Sequence, residues 1–474
     1  FILYGNPSHL YAEGNNIRWY DDREILNLVY TGNSFPAGHT ELGKYTYYVT
    51  QTISGCESNA RKVSLSLVTG IDPPIGHDTI ISVGEPAVIT VEGEKGAVFK
   101  WYKDPSLTNL LATGDTYFTG KTEQGIYTYY VNQTVCLIES VPDTVLLMIK
   151  DLAIIHDDRF REALIMEGVD HDRDEVISLA EAEAVDSLYI SLYDISNMSG
   201  IEAFVHLKYL ACSQNLLPSL DVTANPALAF LDCGRNQLTL LDISGNIALS
   251  YLNCSNNQLT SLNVSGCTAL TDLNCPYNQL TGLDVSGCIA LTTLRCMENP
   301  IGSLDVSANT AITYLDCRRN RLTSLDISVN TALTGLDCSF NQLTCLDVSA
   351  NTALTELVCH GNQLTSLDVS ANTTLTALDC SSNQLTILDL SANTELESLV
   401  CWSNLLTSLD ISGCSALKVL NCDWNQLTSL DVSGCTALMD LDCRFNQLAS
   451  LDISSCYELK EVRCDYNPMI SLDV

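Results

Sequence analysis

The sequence predicts a repeat solenoid, mainly β, of about 13 coils of 21 residues, preceded by two β-sandwich modules and a short α-helical cap. Three observations carry that prediction. A cysteine recurs every 21 residues, thirteen times without a slip, from Cys212 to Cys464. An asparagine follows each cysteine by three residues, from Asn215 to Asn467. Residues 1–150 contain a duplication of their own, offset by 82 residues, in strand-like patterning.

The repeat reads L-x-x-L-x-C-x-x-N-x-L-T-x-L-D-V-S-x-N/C-x-A, and its first half is the leucine-rich-repeat consensus with Cys at the third leucine. One coil cannot bury its own apolar side. Stacking coils does, with Leu207, Leu210, Cys212, Leu217, Leu220, Val222 and their equivalents pointing inward. Strands lie about 4.8 Å apart, so the array should be roughly 60 Å long. Each Asn of the 215-to-467 series should turn the chain, its amide bonding to the next coil. The Leu-Asp-Val triplet adds a second extended segment, which predicts β structure on both sides of each coil. Asp stands outward there in twelve of thirteen repeats, Asn263 being the exception. Like charges at strand spacing repel unless each carboxylate is satisfied locally. The following Ser or Thr can do that; a row of Ca²⁺ ions is the sharper alternative.

Twenty-one cysteines suggest disulfides by number alone. Position argues otherwise. Thirteen sit at a buried strand position, where pairing would break the stack, so they read as reduced and leucine-replacing. Clustered metal thiolates call for spacings such as C-x-x-C, which the sequence lacks. A second, partial series, Cys267, Cys288, Cys414, Cys435 and Cys456, alternates with Asn309, Asn330, Asn351 and Asn372 and should face inward at a turn. Oxidation of adjacent pairs remains open there.

In the first 150 residues Trp19-Tyr20 corresponds to Trp101-Tyr102, and Gly43–Val49 to Gly125–Val131. Alternating Tyr, Val and Thr punctuated by Gly, Pro and Asn reads as short antiparallel strands. The pair resembles tandem immunoglobulin-like sandwiches of bacterial surface proteins, spanning residues 1–70 and 71–150, with Ile71–Pro74 as linker. Cys56 aligns with Ile138 and Cys136 with Ser54, so the modules share no disulfide. The first module reads as clipped, because the segment Ile80–Val83 has no counterpart before Phe1.

Residues 151–187 form the predicted cap. Phe160, Ala163, Leu164 and Glu167 follow helical spacing, and residues 179–185 are strong helix formers. Between them, Asp170, Asp172, Asp174, Val176 (through its carbonyl) and Glu181 occupy positions 1, 3, 5, 7 and 12 of an EF-hand-like loop suited to a structural Ca²⁺. Glu175 departs from the pattern at position 6, where Gly normally supplies φ > 0. An acidic helix–loop–helix without metal is the alternative.

The net charge of −34 argues against nucleic acid. Residues 151–207, with 14 acids and 3 bases, are the most acidic stretch per residue. No apolar run approaches the roughly 18 residues of a transmembrane segment. Phe1 opens directly into strand-like sequence, so the chain reads as a mature form or a fragment of an exported protein. Its end at Val474, in mid-repeat, suggests continuation or pairing of the last coil.

The remaining residues that vary from coil to coil should carry function. Two positions after each ladder cysteine stand Arg319, Phe340, Trp424, Phe445 and Tyr466, with Trp402 and Arg318 one position earlier and Tyr314 on the strand. Aromatic and Arg residues anchor interfaces. They could instead stack as a cross-strand ladder, or stack on sugar rings. No Ser-His-Asp or Cys-His grouping is evident, so no enzyme is expected.

The 21-residue period, the phrases Asn341-Gln-Leu-Thr-Cys-Leu-Asp-Val-Ser349 and Leu336-Asp-Cys338, and the cysteine ladder resemble the internalin family, in its internalin J type. The resemblance covers residues 188–474. It implies a non-catalytic extracellular or cell-surface module that binds protein, on a host surface for example, through the concave face of the solenoid. A carbohydrate-binding surface protein is the alternative. Internalins usually carry immunoglobulin-like modules after the repeats; here they come first, an order closer to surface proteins of gut Bacteroidetes.

Overall fold

The computed structural model describes residues 2–4 and 6–474. The chain divides into two compact units, Phe1–Leu152 and Ala153–Val474.

In the first unit the duplication is visible strand by strand. Arg18–Tyr20 lies between Leu28–Thr31 and Gly43–Thr50, and Val98–Tyr102 lies between Leu110–Thr113 and Gly125–Val135. Trp19 and Trp101 are fully buried, and each indole N–H donates to a glycine carbonyl thirteen residues on, Gly32 and Gly114, at 2.9 Å. A buried Trp needs such a partner for its polar edge. Cys56 and Cys136 are exposed and unpaired. Ile2–Leu3 pairs in parallel with Leu67–Val68, as Thr79–Ser82 pairs with Leu147–Lys150, so the segment thought to lack a counterpart has a short one.

The second unit opens with two short helices, Asp158–Met166 and Leu179–Glu183. Asp157 caps the first by accepting from the Phe160 N–H, and its other oxygen accepts from Ser196 and Asn197. Phe160 and Leu164, fully buried, join the same apolar cluster as the repeats, which runs unbroken from Phe160 to Cys456.

The coils form one parallel sheet of fourteen strands. That is one more than the cysteine count, because Ser187–Tyr189 pairs with Tyr209–Ala211 as a full first strand. Leucine registers against leucine throughout, as in Leu336↔Leu357. Twelve ladder cysteines are buried and Cys464, on the last coil, is half-buried. Burial pushes the Cys275 and Cys380 thiols up to about 12. Thiolate, the form that attacks or binds metal, is therefore disfavoured.

The asparagine after each cysteine is the chief polar tie. Asn341 Oδ1 accepts from Leu322 N–H at 3.0 Å, and its amide donates to the carbonyls of Cys317 and Cys338 at 3.1 and 3.0 Å. The bonds reach back to the preceding coil, not forward as the sequence suggested.

The second series faces inward as expected. Asn351 donates to the carbonyls of Ile327 and Asn330, while Cys267 offers its thiol to Ile243 O at 3.3 Å and is unpaired. Cysteine there comes with a preceding Gly in four of its five coils (266, 287, 413 and 434). At three of them backbones approach closely, so that a Cβ would stand 1.9 Å (Gly266), 2.0 Å (Gly287) or 2.7 Å (Gly434) from a serine carbonyl oxygen; at Gly413 the distance would be 3.6 Å.

On the opposite side of the coils the outward aspartates are satisfied locally. Asp242 Oδ1 accepts from Ser244 N–H at 3.0 Å and Oγ–H at 2.8 Å, and the pattern recurs at Asp284 and Asp326. Hydrogen bonds from the following serine hold these carboxyls below their usual range, despite the like charge on adjacent coils. Continuous β structure on this side does not form. Strand pairing is confined to Leu240–Asp242 with Ser261–Asn263, Ser450–Asp452 with Ser471–Asp473, and isolated bridges. Elsewhere the side-chain bonds take over from a ladder.

Candidate binding face

Strand alternation sets what the parallel sheet presents. With Leu and Cys inward, the residues before, between and after them point outward. The residue just before the ladder cysteine is mostly Asp or Asn, and its oxygen accepts the N–H two residues on, as Asp379 does from Ser381 at 3.0 Å. These residues are largely occupied in holding the strand end.

Two positions after the cysteine, the backbone enters the left-handed region in every coil, from Gln214 (φ 55°) to Tyr466 (φ 58°). Only Gly361 and Asn256 are of residue types this conformation favours. Phe340, Trp424, Phe445 and Tyr466 hold it at a cost of about 1 kcal/mol each. Part of that cost is offset by stacking: Trp424 on Phe445 at 4.3 Å, and Phe445 on Tyr466 at 4.1 Å and 7°. Even so, Trp424 is 56 % and Tyr466 71 % exposed. Phe445 is sandwiched between the other two rings, and Trp424 and Tyr466 each keep one face unstacked. Near the other end Tyr189, Tyr209, Phe230 and Tyr251 form a similar ladder, with Phe230 and Tyr251 at 4.4 Å.

Trp402 does not join the Trp424 stack. Its ring contact is with His360, at 5.6 Å across the small Ser381, and His360 meets Phe340 edge-on at 4.4 Å. The aromatics thus form two clusters, Phe340–His360–Trp402 and Trp424–Phe445–Tyr466.

The arginines are engaged internally. Arg318 donates to Asp337 at 3.0 Å, lies 3.5 Å from Asp316, and points two nitrogens at the Met297 sulfur. Arg319 pairs with Glu298 at 3.2 Å and covers the Phe340 ring at 4.3 Å. Tyr314 is held between the Arg295 guanidinium, 5.0 Å away, and Gly335, where a Cβ would come within 2.8 Å of the ring. Burial and the neighbouring Asp337 charge push Asp316 up to about 6, against the pull of Arg318.

A Ser–His–Asp grouping does form, contrary to the sequence reading, but with the serine in the middle. Ser381 Oγ–H donates to Asp379, and His360 Nδ1 lies 2.8 Å from the same oxygen. The histidine is not between acid and hydroxyl, and Ser381 is fully buried, so the wiring does not activate a nucleophile.

In the cap, carboxylate oxygens of Asp170, Asp172 and Asp174 lie within 4.8 Å of one another. Glu175 adopts φ 67°, making the turn that Gly normally makes. Glu181 stands apart from that trio, its two oxygens accepting from His171 N–H at 2.9 Å and from Ser178 N–H at 2.9 Å. Glu181 Oε2 also accepts from Ser178 Oγ–H at 2.8 Å, so only Oε1 keeps a further lone pair, and the three aspartates are the donors that suit a hard cation.

Comparison with known proteins agrees with this architecture. The family model described as "Ig-like domain CHU_C associated" matches residues 72–145, the second sandwich. Among solved structures, the functional domain of InlJ from Listeria monocytogenes, which includes a cysteine ladder, is 37 % identical over 66 % of this chain and 69 % of that one, with a TM-score of 0.63. The internalin inlF of the same species, 23 % identical over 67 % of this chain and 95 % of that one, has a TM-score of 0.57. The leucine-rich-repeat ectodomain of the Arabidopsis thaliana receptor kinase GASSHO1/SCHENGEN3 is 21 % identical over 60 % of this chain and 38 % of that one, with a TM-score of 0.53. The latter two share the fold. No curated protein matches the sequence. With its 21-residue coils and buried cysteine ladder, the chain belongs to the internalin family, in its internalin J-like branch.

Proposed function

We propose that this chain is a non-catalytic recognition module, extracellular or on the cell surface, that docks a protein partner on the outward face of the parallel sheet. The observation that carries the reading is the series of aromatics kept in left-handed backbone, Phe340, Trp424 and Tyr466 exposed and Phe445 half-buried between its neighbours. Glycine would relieve that strain, so the side chains themselves are what is retained. Protein is favoured over sugar because Phe445 spends both faces on its neighbours at 4.1–4.3 Å, which leaves only the outer faces of Trp424 and Tyr466 for a pyranose ring. The InlJ domain supports a surface role by analogy.

The test is binding of labelled protein to immobilised mucosal extract, treated with protease in one arm and periodate in another. Protease should abolish binding and periodate should spare it, and a Trp424→Ala/Phe445→Ala/Tyr466→Ala variant should bind at least tenfold more weakly. Periodate-sensitive, protease-resistant binding would establish the glycan alternative instead.

We also propose that Asp170, Asp172, Asp174, the Val176 carbonyl and Glu181 hold one structural Ca²⁺. A cation that binds only the folded state raises Tm. Millimolar Ca²⁺ should therefore raise the melting temperature over chelator by several degrees, and Asp172→Asn should abolish the shift. Equal melting temperatures would remove the proposal.

A further inference from the structure

The two sandwich modules differ at one sheet edge. In the second, Val88–Glu92 lies between Thr116–Phe118 and Ile75–His77, so the linker itself completes a three-stranded sheet. In the first, the counterpart His9–Tyr11 pairs only with Ser34–Pro36 among the described residues. Ala12 N–H donates to Asn33 O at 3.0 Å, as Val91 N–H does to Asp115 O. Alternation therefore turns the Tyr11 and Glu13 amides to the open edge. A groove of about 650 Å³ lies along it.

The groove keeps the fittings that hold the linker in the second module. There Gln133 donates to Asp72 O at 2.9 Å, and Gly76 crosses Val145 so closely that a Cβ would stand 2.1 Å from its Cγ2. Gln51 and Val63 occupy the same positions in the first module and line the groove. Gln51 is set alike, its N–H donating to Ser58 Oγ at 3.1 Å as Gln133 N–H does to Ser140 Oγ at 3.0 Å. Val131 and Val145 are fully buried in the second module, whereas Val49 and Val63 are only half-buried in the first. Arg61 is the departure, since its counterpart Asp143 accepts the Gly76 N–H at 2.8 Å. The exposed guanidinium suits an acidic side chain of an incoming strand, such as the linker carries at Asp72 and Asp78.

We propose that the groove receives the trailing linker strand of another immunoglobulin-like module, added antiparallel to Tyr11–Glu13. Main-chain bonds to the open edge supply the affinity, and the Val63 floor selects a strand with glycine at its centre. The same edge of a second copy does not fit, because Ala12 would bring a Cβ to the place where Gly76 has none.

Anisotropy of a labelled, end-capped peptide spanning Ile71–Thr79 tests this on the full chain, whose own linker already fills the second module. The peptide should bind saturably, and its Gly76→Val form at least tenfold more weakly. In the protein, Tyr11→Pro deletes an edge donor without touching the bonds to Ser34–Pro36, and should also cost at least tenfold. The peptide variant leaves the protein intact, so it decides even if Tyr11→Pro misfolds. Bound peptide should slow hydrogen exchange over Tyr11–Glu13 and leave Thr90–Glu92 unchanged. No saturable binding at millimolar peptide, equal affinity of the Gly76→Val form, or protection at Thr90–Glu92 alone would overturn the proposal. A dimer of the chain that the peptide splits would overturn the module assignment in favour of a second copy.

Discussion

Removing Asn341 should weaken one coil junction without unfolding the array. In Asn341→Ala the Leu322 N–H loses its acceptor in a buried setting. The carbonyls of Cys317 and Cys338 fare better, since each also accepts a second amide, from Asn320 and Asn362. One orphaned N–H costs about 1–3 kcal/mol and two lost bonds about 0.5–1.5 kcal/mol each, for a total of about 2–6 kcal/mol. Coils contact only their neighbours, so the loss should be local. Hydrogen exchange, read by mass spectrometry, should show the Leu322 region opening at least thirtyfold faster while coils near Leu231 keep wild-type protection. Asn467→Ala, in the last coil and only part-buried, should cost less than half as much. Loss of under 0.5 kcal/mol in Asn341→Ala would refute the claim that this column ties the coils.

Further predictions address strain, charge and backbone approach. Ser382 sits at φ 49°, so Ser382→Gly should stabilise by about 0.5–1 kcal/mol in urea denaturation. Gly361→Ser should do the reverse and more, because its Cβ would lie 2.9 Å from the Phe340 ring. Asp316 titrates near 6 when folded and near 3.8 when unfolded, so the folded state holds the proton longer and stability falls as pH rises between those values. Asp316→Asn should therefore gain about 2 kcal/mol over wild type at pH 8 and match it near pH 4. Gly266→Ala should lower Tm by several degrees, since no side chain fits 1.9 Å from Ser244 O.

The period alone made the core legible: leucine and cysteine lie inward and aspartate outward, because alternation along a strand leaves no other choice. The Asp–Ser pairing was legible for the same reason, as an acid with a hydroxyl two residues on. The direction of the asparagine bonds was not, since sequence does not say which neighbouring coil lies within reach of an amide. Nor was the partition of the aromatics. Trp402 and Trp424 belong to adjacent coils, but the left-handed turn between their columns sends Trp402 to His360 instead. That turn did have a signal, in Gly361 and Asn256, residue types that take φ > 0 most readily. Glu175 shows the limit of residue-type rules, since it takes up the φ > 0 that glycine would have made easy.

The claim on which the account rests is that the cysteines build the core and leave recognition to the outward columns. Intact-mass counting of thiols tests it most directly, by alkylating the native protein and then the unfolded one. Cys56, Cys136 and Cys345 are exposed and should react at once, and Cys464, half-buried, more slowly. The other seventeen should stay protected until denaturation, when all 21 react. Fewer than 21 reactive thiols in the unfolded, unreduced chain, or rapid native labelling along the ladder, would contradict it.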